Sequence, residues 1–221
     1  MKKVPFYSQM VNWDHEDSGF SGPEEIEKWQ NKCCGIACLR MVLGYYHWGN
    51  RKELSYWELL NLGLECNAHC EKGWIHQGLL NMGRFFGIAG QCHRQVTMEE
   101  VVSAIDRGSL CIVSVTRAFL GGKSAEDILR AMNHQGSLYL KTKAYLENEN
   151  QGFENKFPRG GHLVVAYDGV RENGVVKQIV CNHPSSYPEW NRAGWAVEID
   201  KWRDSFSGNF IEFYAEDETK R

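Results

Sequence analysis

Residues 31–49, NKCCGIACLRMVLGYYHWG, set a polar turn and two adjacent thiols directly ahead of an apolar run. Ile36, Leu39, Met41, Val42, Leu43 and Tyr46 fall at helical spacing, which predicts a core-facing helix opening at Cys34 or Gly35. The first backbone N–H groups of a helix have no partners within it and carry the positive end of its dipole. A thiol held there is shifted toward thiolate, the form in which sulfur attacks carbon. Cys34 is therefore a candidate nucleophile, and Gly35 beside it lets another group approach closely. Cys33 precedes the helix with no fixed direction, and Cys38, one turn on, is expected to pack in the core.

On the N-terminal side, VPFYSQ (4–9) reads as a short strand or extended segment, and 11–30 as a polar, acidic loop ending in a short turn around 24–29. On the C-terminal side, amphipathic helices are predicted at 55–63, 74–87 and 97–107, the last opened by a Thr97–Glu100 capping-box pattern. The period then changes. Segments 109–116, 162–170, 175–183, 194–200 and 209–216 are β-branched or alternating and are separated by Gly, Asn or Pro turns. Asn173-Gly174 is a hairpin signal. A piece of roughly 117–158 is inserted between the first two strands, with a helix expected over 124–134. Helices first and antiparallel strands later predict an α+β fold, read as one domain over residues 1–221.

The chain has 221 residues, 43% of them hydrophobic and 24% charged, the profile of an ordinary globular protein. Its 25 basic and 28 acidic residues leave a net charge of −3 with no long basic cluster, so nucleic acid is not an expected partner. No apolar stretch is long enough to span a bilayer, and MKKVPFYSQ lacks the apolar segment of a signal peptide. A cytoplasmic location is expected. The eight cysteines are then read as reduced thiols, because a chain this long does not depend on disulfide staples.

RGGHLVVAYDGV places His162 at the start of an apolar strand, and the next strand ends IVCNHP, bringing Asn182 and His183 onto its neighbour. A cysteine nucleophile, a histidine base and an amide or carboxylate that orients the imidazole make up a thiol-hydrolase triad. Adjacent strand residues face opposite sides, so only one of Asn182 and His183 can face His162; Asn182 is the expected partner. Gln9 could offer its side-chain amide to an oxyanion beside the backbone N–H of Cys34.

Taken together, VPFYSQ, CCGIACLRMVLGYYHWG, GGHLVVAYDGV and VCNHPSS resemble the bacteriocin-processing-like branch of papain-like cysteine peptidases, in order and from Val4 to about Phe213. The resemblance implies a papain-like fold with Cys34 as nucleophile, His162 as base and Gln9 as oxyanion donor, acting without a cofactor on a peptide or amide-containing substrate. Two departures stand out. Gln9 lies 25 residues before Cys34, a wide gap that leaves Gln30 as the fallback donor. The position before Pro184, where the branch carries Asp, is His183.

Three other readings compete. Cys66, His69 and Cys70, with Cys92 and His93, could bind zinc if the first three share a helical face. A thioester on Cys34 could be resolved by an amine, making a transferase. The fold could also serve as a non-catalytic binding module.

Overall fold

Pro23 at the first helical position starts α1 (Pro23–Gln30), and a turn at 31–33 hands the chain to α2 (Cys34–His47). The computed structural model describes residues 2–9, 19–47, 54–116, 119, 160–186 and 190–215. α3 (Tyr56–Glu65) opens on a reciprocal cap. The Glu58 N–H donates to Ser55 Oγ at 3.1 Å, and the Ser55 N–H donates to Glu58 Oε2 at 2.8 Å. A two-strand hairpin follows, β1 (His69–Cys70) with β2 (Gly73–Trp74), and then α4 (His76–Phe85). The helix expected from residue 74 thus starts two residues later, because Trp74 belongs to the hairpin.

β3 (Ala89–Arg94) and α5 (Met98–Asp106) come next, followed by β4 (Leu110–Thr116). Thr97 stands at the α5 N-cap in extended conformation, yet its side chain makes no capping bond, so the expected box at Thr97–Glu100 does not form. β5 (Gly161–Glu172) and β6 (Val175–His183) make the long hairpin, with Asn173 at φ 50 and Gly174 at φ 80 in its turn, the left-handed pair that such turns require. β7 (Arg192–Glu198), α6 (Ile199–Ser205) and β8 (Phe206–Tyr214) finish the described fold. The strand expected over 194–200 therefore ends in a seven-residue helix, too short for its period to be read from sequence. The expected insertion at 117–158 lies outside the described residues apart from Phe119.

The main sheet is antiparallel, in the order β3-β8-β4-β5-β6-β7. Alternation along each strand divides its side chains between two cores. One face carries Leu110, Ile112, Val165, Tyr167, Val180 and Phe213 against α2, α3 and α4. The other carries Val113, Val115, Val164, Cys181 and Phe210 against Val101 and Ala104 of α5 and Trp202 of α6. This is the α+β arrangement expected. No described helix is long and apolar enough to cross a membrane.

Residues 2–8 form neither helix nor strand, and Val4, Phe6 and Tyr7 pack against the core that holds α2, α3 and α4. Asn182 Nδ2 donates to the Pro5 carbonyl at 3.0 Å, and Ser8 Oγ donates to the Ser185 carbonyl at 3.1 Å. The Arg40 guanidinium lies over the Tyr7 ring at 4.4 Å. Near the far edge, Glu212 of β8 is buried and accepts from Arg107 Nη2 and Ser109 Oγ at 2.8 Å each, with His93 Nε2 at 2.9 Å. Burial pushes that carboxyl up, but the three bonds outweigh it and hold it below its ordinary value.

Trp74 fixes the mouth of α2. Its indole donates from Nε1 to the Lys32 carbonyl at 2.7 Å, and its ring fills the space that side chains at Gly35 and Gly63 would take. A Cβ on Gly35 would stand 2.6 Å from Trp74 Cγ, and one on Gly63 2.6 Å from Trp74 Cζ3. Gly35→Ala is therefore expected to lower stability by about 1–3 kcal/mol through overpacking. Gly22→Ala, with nothing within 4 Å of the added carbon, meets no clash and should lose only the N-cap preference of Gly over Ala, about 0.5 kcal/mol. Denaturant midpoints of the two variants measure the difference, and equal midpoints would remove Trp74 as the constraint on Gly35.

Candidate active site

Ala37 N–H donates to the Cys33 carbonyl at 2.9 Å, which makes Cys33 the N-cap and Cys34 the first residue of α2. No acidic residue lies in the first turn to offset the helix's positive end. Cys34 is partly exposed, whereas Cys33 and Cys38 are buried. Burial pushes the Cys33 thiol far up, and does the same to Cys38. Cys33 is further committed through its carbonyl, which accepts from Tyr56 Oη at 3.0 Å. Of the three thiols at this helix, Cys34 is the one that meets solvent.

Gly160 and Gly161, at φ 103 and 91, carry the chain into β5 through a conformation that L side chains rarely adopt. His162 follows and pairs with Val115 of β4. Cys34 and His162 line one cavity of about 290 Å³, together with Lys32, His69, Trp74 and His76. Cys34 comes from the face of the sheet covered by α2, and His162 comes from the end of a central strand. His69 stacks edge-on against Trp29 and Trp74, with centroids at 5.4 and 5.0 Å. Burial lowers its pKa, helped by Lys32; burial also lowers that of His76, helped by Arg94. Both imidazoles are thus held toward neutrality. Nothing in their sequence context marked His76, Lys32 or Trp74 as cavity residues, and His69 stood out only as a metal-ligand candidate.

Gln9 is buried, and its Nε2 donates to the Gln30 carbonyl at 2.6 Å. The two glutamines considered as oxyanion donors are therefore in contact, just before the turn that leads to Cys34. Neither lines the cavity itself.

Asn182 and His183 are placed the other way round from expectation. β5 and β6 pair Val165 with Asn182, so Asn182 shares the helical face with Val165 and Tyr167. Its amide oxygen accepts from the Gly194 N–H at 2.9 Å and from Tyr167 Oη at 3.5 Å, and its nitrogen donates to Pro5. That carboxamide ties the N-terminal segment to β6 and makes no bond to His162. His183 points to the opposite face, diagonal to His162, with the two ring centroids 4.7 Å apart. Counting back from the two-residue turn Asn173-Gly174 would have given this register, since 172 opposite 175 puts 165 opposite 182.

The zinc reading needed Cys66, His69 and Cys70 on one helical face. Cys66 instead follows the last residue of α3, while His69 and Cys70 are consecutive in β1 and so point apart. Among the described residues, no group of three or more His, Cys, Asp or Glu side chains is gathered to hold a metal ion.

No protein-family model matches the sequence, and no curated protein does. Solved structures do match. A Bacillus anthracis protein described as a C39-like peptidase is 13% identical, with 99% of this chain and 98% of that chain covered at a TM-score of 0.52. A double glycine motif protease from an AMS/PCAT transporter, solved in complex with the leader peptide, is 17% identical, with coverages of 96% and 91% at 0.47. The peptidase domain of Streptococcus ComA, a bi-functional ABC transporter, is 13% identical, with coverages of 84% and 93%, also at 0.47. The antiparallel sheet with the Cys34 helix packed across one face thus has the fold of the C39-like, papain-like peptidases.

Proposed function

We propose that the chain is a thiol-dependent hydrolase that cleaves a peptide or amide bond through an acyl-enzyme on Cys34, with His162 as its base. The observation that carries this is the shared cavity: a partly exposed thiol at the first position of a 14-residue helix opens onto the same space as a strand-end imidazole. The fold's likeness to a C39-like peptidase makes peptide bonds the first class to test.

In this reading His162 takes the Cys34 proton, and the thiolate attacks the substrate carbonyl. The negative charge that develops on the carbonyl oxygen meets the backbone N–H groups at the start of α2. Gln9 is the proposed side-chain donor to the same oxygen, since Nε2 carries two hydrogens and the Gln30 carbonyl takes one. The imidazolium then gives its proton to the departing amine. Water, deprotonated by the same imidazole, hydrolyses the thioester and frees Cys34. The site needs no cofactor for any of these steps.

Cys66 and Cys70 are exposed thiols in the same molecule, so they serve as internal standards for Cys34. Near pH 6 an ordinary thiol is almost entirely protonated. Cys34 is expected to react with iodoacetamide at least about tenfold faster than either, as read by site-resolved mass spectrometry. Equal rates at the three sites would remove Cys34 as the nucleophile. Cys34→Ala should fold normally and cleave no member of a peptide library that the native chain cleaves.

A second prediction separates Asn182 from the chemistry. Asn182→Ala should cost about 2–3 kcal/mol of stability, by leaving the Gly194 N–H and the Pro5 carbonyl without their partner. The folded fraction should keep its Cys34 alkylation rate. A normal unfolding midpoint with a collapsed rate would return the orienting role to Asn182.

A further inference from the structure

We infer that His183 is the positioning residue for His162, a neutral imidazole that offers a nitrogen lone pair where the resemblance had placed an aspartate. The inference rests on the proposed roles of Cys34 and His162. Four observations carry it.

The first is placement. His183 is buried at the end of β6, and its closest described ring is that of His162, at 4.7 Å against 5.9 Å for Trp195 and 6.2 Å for Phe119. The second is its tautomer. Nδ1 lies 2.9 Å from the Trp190 carbonyl, and a carbonyl can only accept, so Nδ1 carries the hydrogen. The third is protonation. Burial lowers the pKa of His183 to about 4; the Trp190 carbonyl opposes this, and Arg192 adds to it. The ring is therefore neutral at physiological pH, and with the hydrogen on Nδ1 its other nitrogen, Nε2, is an acceptor. The fourth is vacancy. Nε2 is buried and accepts no hydrogen bond among the described residues, a costly state for a polar atom unless something uses it.

The reaction supplies the user. A neutral imidazole has one N–H, but an imidazolium has two. When His162 takes the proton from Cys34, it gains a second donor beside the Nε2 lone pair of His183. Catalytic hydrogen bonds often close only at that stage, so an open contact in the resting site is compatible with the role. Among the described residues, the titratable and charged groups facing His183 are His162 from β5 and Arg192, opposite it on β7. The remaining neighbours, Phe119, Trp190 and Trp195, do not titrate. A lone pair orients the imidazolium but stabilises its charge less than a carboxylate would, so the Cys34–His162 ion pair should respond to the chemistry at position 183.

The test uses the full chain and needs no substrate: the pH profile of Cys34 alkylation by iodoacetamide, with thermal unfolding of each variant measured alongside. The native chain should keep a reactive plateau below pH 7, and His162→Ala should reduce the rate at pH 6 about tenfold or more. His183→Phe fills the space without an acceptor and should lose most of that plateau. His183→Asn should retain it. His183→Asp should carry the plateau about one unit or more higher in pH, because an adjacent carboxylate favours the imidazolium. A folded His183→Phe chain with the native profile would overturn the inference while leaving the function intact. If that variant fails to fold, an unshifted profile in His183→Asp would overturn it instead. If the native chain and His162→Ala share the profile of an ordinary thiol, the catalytic reading falls and the inference falls with it.

Discussion

The start of α2 is held by one aromatic side chain. Trp74 reaches from the short hairpin into the gap between two helices, bonds the carbonyl of Lys32, and occupies the volume left open by Gly35 and Gly63. A helix terminus has no internal means of fixing its direction, because its first amides are unpaired. Here the tryptophan sets the direction from outside, and Tyr56 adds a second tether at the Cys33 carbonyl. The thiol of Cys34 inherits its position from these two bonds. The N-terminal segment is tied to the same side of the sheet by Asn182, Ser8 and the Arg40–Tyr7 contact.

Because the sheet packs helices on both faces, side chains from the two faces can meet at its end. Cys34 arrives from the α2 side. His162, on the face of Val115 and Val164, arrives after two glycines turn the chain into β5. His183 stands beside it on the second core, against the rings of Phe119 and Trp195. That surrounding explains its depressed basicity: an imidazolium there would be a charge enclosed by aromatic rings, a cost that burial imposes on any ionised group. The polar chemistry of one face is thereby supported by the apolar packing of the other.

Much of this was legible in the residues. The apolar spacing from Ile36 to Tyr46 gave α2 with its start at Cys34 or Gly35, and alternation gave β4, β5, β6 and β8 to within a few positions. Asn173-Gly174 gave the hairpin. Cys34 and His162 were singled out by where each sits in its element, and they share a cavity. Short elements were not legible: the β1–β2 hairpin has two residues per strand and α6 has seven, less than one clear period of either pattern. The choice between Asn182 and His183 was decidable from the turn by counting, but chemical habit favoured the amide. The two interruptions of register in the β5–β6 ladder offset one another, so the simple count holds. The positions of Trp74 and His76 depended on tertiary packing that no local pattern encodes.

The strand order has a consequence for how the molecule comes into being. β3 and β4 are near neighbours in sequence but not in the sheet, because β8 lies between them and pairs with both. While the chain is being synthesised, Ala89–Arg94 has no partner and one side of β4 stays bare until residues 206–214 have emerged. Ile211 and Phe213 belong to the core that seats α2, so the support of that helix is completed among the last of the described residues to be made. A nascent chain can therefore carry Cys34 and His162 well before it can hold them in place.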